Sequence, residues 1–130
     1  MSTLHITSDQ MTTFVAARLQ DFRVVMVKQL RENWGEDFTR LSDEQLLAFI
    51  DKGINKAKGY GVTENAEFGM FISIMAEFGV GFDTSGEFPW VPKTLTDTSI
   101  PDPNQRVRNL VAQCTFFLGN LEDADEGDDA

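Results

Sequence analysis

Cysteine, histidine and tyrosine each occur once in these 130 residues, and proline four times. A lone cysteine, Cys114, excludes an intrachain disulfide and gives no sign of a chain built for an oxidising compartment. One cysteine and one histidine, His5, cannot supply the three or four nitrogen and sulfur ligands of a usual zinc site. No metal and no other cofactor is therefore expected. The same two residues make a poor nucleophilic pair. His5 stands near the start, and Cys114 falls on a core-facing position of a helical stripe, so bringing them together needs a coincidence of folding.

Long hydrophobic runs are missing too. The longest, Phe68 to Phe82, is broken by Ser73 and Glu77 and falls short of the ~18 residues that make a membrane span plausible. Residues 1 to 30 lack the basic start, continuous apolar stretch and small-residue cleavage site of a signal peptide, because Arg18, Asp21 and Arg23 interrupt the pattern. The expected location is the cytoplasm. Positive charge is scarce in one half only: residues 1–60 hold eight acidic and eight basic side chains, 61–130 thirteen and three, and the net charge is −10. Nucleic acid and anionic membranes are poor partners for such a field. Six of the acids lie in "EDADEGDDA", Glu122 to Ala130, whose self-repulsion predicts a disordered tail, 122–130, after a single domain, 1–121.

What is present is helix grammar. In "ITSDQM", Thr7 is placed to cap, Gln10 to return the capping-box bond and Ile6 to pack on Met11. The stripe Met11, Val15, Phe22, Met26, Leu30 then has the spacing of an amphipathic helix ending near Trp34–Gly35. "LSDEQL" repeats the signal with Ser42 and Gln45. Leu46, Leu47, Ile50, Ile54 and Ala57 give that helix a buried side, opposite a wet one with Lys52, Lys56 and Lys58. At "GYG", Gly59 is expected to supply the left-handed residue that ends it, with Thr63 capping the next helix. That third helix, Glu64 to Phe78, is apolar nearly all round. It is either the central member of a bundle or has a face kept for a partner, and the central position is the expectation.

"GVGFDTSGEFPWVP", Gly79 to Pro92, is a loop well beyond the usual ~4–6 residues and carries Phe82, Phe88 and Trp90. A short turn of helix is expected around Lys93 to Asp97. "IPDPNQ" then opens a last helix with Asp102 as cap, Pro103 in its first turn and Gln105 placed for a capping box. Its stripe is Val107, Leu110, Val111, Cys114, Phe117, Leu118 and Leu121. Apart from "LHI" near the start, no strand-like alternation occurs, so the fold is expected to be all-α, a single-domain bundle of four main helices. Asp83 and Glu87 bracket "TSG", and two carboxylates are the equipment of a glycosidase, but turn chemistry explains "DTSGE" without catalysis. "DADEG" lacks the later ligands of a calcium loop, and "GYG" and "GVG" lack the Lys-Ser/Thr of a phosphate loop.

The stretch "IDKGINKAKGYGVTENAEFGMFISIMAEFGVGFDTSGEFPWVPKTLTD", together with "ITSDQMTTF", resembles a family of small helical bacterial proteins encoded among type VI secretion spike and toxin genes. The carriers are the "GINKAKGYGVT" hinge, Phe78 to Asp83 and Pro89 to Leu95. The chain departs from the family's more usual acidic residue and proline at Ser85 and Gly86. The resemblance implies protein binding and brings no catalytic residue with it. The expected function is a non-catalytic, chaperone-like accessory or adaptor for a secreted toxin, effector or spike component. The alternative is an immunity protein that neutralises a cognate toxin, with a small hydrolase more distant. Phe82, Asp83, Glu87, Phe88 and Trp90 are the candidate protein-binding residues.

Overall fold

The computed structural model describes residues 19–128, with side chains for 21–119. His5, the Thr7 cap, Met11, Val15 and the "LHI" segment lie outside the described residues. Among those described there is no strand and there are six helices: α1 Leu19–Asn33, α2 Glu36–Thr39, α3 Asp43–Gly59, α4 Asn65–Phe78, α5 Trp90–Leu95 and α6 Pro103–Asp128. The all-α class is as expected, and the short α2 was not foreseen. Four residues bounded by Gly35 at φ 73° carry no hydrophobic periodicity from which to infer a helix.

Helix α1 buries Phe22, Met26 and Leu30 completely, every fourth residue, and ends at Asn33, within a residue of the expected stop. Helix α3 starts on the capping box expected of "LSDEQ". The Ser42 N–H donates to Gln45 Oε1 at 2.9 Å, and the Gln45 N–H donates to Ser42 Oγ at 3.2 Å. Its buried face is Leu46, Ile50, Gly53, Ile54 and Ala57. Leu47, expected on that face, is only half-buried, and Gly53 takes a central place because α4 passes so close that a Cβ there would lie 2.5 Å from Ile72 Cγ1.

The helix end corrects the expectation for Gly59, which is still helical; the left-handed residue is Gly61, at φ 93°. The Val62 N–H donates to the Ala57 carbonyl at 3.1 Å and the Gly61 N–H to the Lys58 carbonyl at 2.9 Å, a Schellman pair that leaves Val62 buried over Ala57. Gly61 also lies against Pro103, whose Cγ would stand 2.9 Å from a Cβ. Between two candidate glycines, a contact from α6 selects the second.

Helix α4 buries every residue from Ala66 to Met75 and packs against α1, α3 and α6, so its apolar faces all meet protein. Thr63 is not its side-chain cap. The N-cap position is Glu64, and Asn104 of α6 reaches across instead, its Oδ1 accepting from the Thr63 and Glu64 N–H groups at 3.1 and 3.3 Å. Helix α6 opens as expected on Asp102, which accepts the Asn104 N–H at 2.9 Å, whereas Gln105 bonds Asn109 and Arg108 rather than closing a capping box. Its backbone stays helical through Asp128, most of the segment expected to be disordered; the side chains beyond 119 lie outside those described.

Leu46→Ala, Phe71→Ala and Leu110→Ala, all at fully buried positions, should each destabilise by roughly 2–5 kcal/mol. Gly53→Ala, which inserts one methyl into a closed contact, should destabilise by roughly 1–3 kcal/mol. Urea midpoints of the four variants check both, and a Gly53→Ala protein as stable as the parent would mean that α3 and α4 are further apart.

Candidate functional site

The long loop divides in two. Its first half belongs to the core: Phe82 is buried, its ring centroid 5.2 Å from that of Phe71, and Asp83 beside it is only 4% exposed. A buried carboxylate needs partners, and α3 provides both. Lys56 Nζ lies 2.6 Å from Asp83 Oδ1, an ion pair outside good hydrogen-bond alignment, and the Tyr60 hydroxyl donates to Asp83 Oδ2 at 2.8 Å. Lys56 also donates to the Val80 carbonyl at 2.9 Å, so one side chain holds the loop by backbone and carboxylate together. Lys56 and Tyr60 are four residues apart, hence on one helix face, which is why two groups converge on one carboxylate. The expectation of a wholly wet lysine face is corrected at Lys56.

The second half of the loop is an aromatic platform. Phe88 and Trp90, both half-buried, lie with ring centroids 5.9 Å apart and close on Phe117 of α6, each at 5.7 Å. Phe78, at the end of α4, adds a fourth ring 5.0 Å from Phe88. Such edge-to-face and tilted pairs fix one another's orientation. Helix α5 begins at Trp90 rather than near Lys93, with Pro89 before it, and this start turns the indole toward α6. Next to the platform, Trp90, Ala112, Gln113, Phe116 and Phe117 line an open groove of about 480 Å³. Phe116 stands 71% exposed on its rim.

Of the five candidate residues, Phe82 and Asp83 are thus interior, Glu87 is exposed, and Phe88 and Trp90 form the platform. The carboxylates of Asp83 and Glu87 stand in different environments, one paired inside and one in solvent. Phe116 was missed, although the signal was there: in "CTFFLG" it is the phenylalanine off the buried stripe of α6. Also missed was Glu67, buried in the first turn of α4, whose Oε2 accepts from Arg108 at 3.0 Å across 41 residues of sequence. Cys114 is fully buried; burial first, and the Glu77 charge second, push its thiol up to about 12, which keeps it protonated and unreactive at neutral pH. Among the described residues no group of three or more His, Cys, Asp or Glu could hold a metal ion, and no helix is long and apolar enough to cross a membrane. Comparisons of the chain with protein-family models, with curated proteins and with solved structures find no match.

Removing Lys56 leaves Asp83 charged and buried. Lys56→Met should therefore destabilise by about 3 kcal/mol, the low end for a broken buried pair because Lys56 keeps 23% of its side chain exposed. Adding Asp83→Asn should restore part of the loss, and a double variant no more stable than the single one would exclude charge burial as the cause.

Burial, then the hydrogen bond to Asp83 and its charge, push the Tyr60 phenol up from 10.0 to about 12. The unfolded chain ionises this group first, so its contribution to stability is complete below pH 10 and is lost as pH rises toward 12. The parent's denaturation midpoint should fall across that window more steeply than that of Tyr60→Phe.

Proposed function

We propose that the protein is a non-catalytic protein-binding module, built on four main helices, that presents the aromatic platform and the Phe116 groove to a partner. The observation that carries this is Phe116: a large aromatic side chain left 71% exposed beside half-buried rings. Aromatic anchors set on a rigid base, next to a cleft, are the usual hot spots of protein interfaces. The latch formed by Lys56, Asp83 and Tyr60 supports the reading, because it fixes the loop at its first half and so presents the second half with little ordering left to lose.

The resemblance of the sequence to small proteins encoded among type VI secretion genes supplies the setting. The partner is then a toxin, an effector or a spike component, and the protein acts as a chaperone-like adaptor in the cytoplasm before export. One observation favours a second reading, immunity. The second half of the chain carries thirteen acidic and three basic side chains, a field suited to covering a basic active-site cleft.

Co-expression with the products of adjacent genes tests the module, and Phe116→Ala is the control. The variant should fold as stably as the parent, within ~0.5 kcal/mol, because an exposed side chain contributes little to the core. It should bind the co-purified partner at least roughly tenfold more weakly, about 1.4 kcal/mol. Trp90→Ala should weaken binding by a similar factor. Unchanged affinity in both variants would place the interface elsewhere. Loss of toxin activity on binding would assign immunity; improved solubility and export without neutralisation would assign the adaptor.

A further inference from the structure

We draw no further inference here: the strongest candidate, the open apolar groove between α5 and α6 lined by Trp90, Phe116 and Phe117, belongs to the site already described, and nothing among the described residues shows what covers it.

Discussion

Ten consecutive residues of α4, Ala66 to Met75, are withdrawn from water, and a helix with no solvent face needs neighbours on every side. That requirement organises the rest. Helices α1, α3 and α6 each supply a wall, and the approach of α3 is so close that residue 53 is a glycine. The segment after α4 cannot simply leave into solvent either, because Phe82 is needed over Phe71 to close the same core. A loop carrying buried Phe82 brings its neighbour Asp83 inside with it. The carboxylate then has to be compensated, which Lys56 and Tyr60 do from α3.

A buried carboxylate is thus found near each end of α4, and each is matched from a different helix: Glu67 by Arg108 of α6, Asp83 by Lys56 of α3. Ion pairs of this kind add little net stability over an apolar contact, but a shifted arrangement that separates the partners leaves a charge stranded. They act here as register pins, one for α6 against the start of α4 and one for the loop against α3. The Asn104 carboxamide does the same in neutral form, binding the N–H groups of Thr63 and Glu64 at the start of α4.

The division between what was legible in the sequence and what was not follows from range. Ser42 and Gln45 are three residues apart, so the capping box is written locally, and the stripe of Phe22, Met26 and Leu30 is written by period alone. Glu67 with Arg108, Asn104 with Thr63 and Lys56 with Asp83 join positions 27 to 41 apart, and no spacing rule connects them. Lys56 looked like one more surface lysine because its partner arrives from a loop. The choice of Gly61 over Gly59 was hidden for the same reason, since the deciding contact comes from Pro103. Of the site, the aromatic character of the loop was legible, but Phe82 and Trp90 read alike in sequence until α5 and α6 separate them.

Aromatic side chains in a loop are either buried in the core or left partly in solvent, and the loop 79–89 does both, with Phe82 buried before the latch and Phe88 half-buried after it. Asp83 fixes the chain just after Phe82 has entered the core, and the chain then turns back at Gly86, φ 82°, to set Phe88 and Trp90 against Phe78 and Phe117. Phe116, one residue along α6 from a ring of the platform, points where no described aromatic neighbour covers it. A helix built only to close the core would have a polar residue there, as it does at Gln113 and Thr115. The burial of α4 therefore accounts for the latch and the platform, and leaves Phe116, like Val24 of α1, as an exposed apolar side chain whose placement the fold itself does not require.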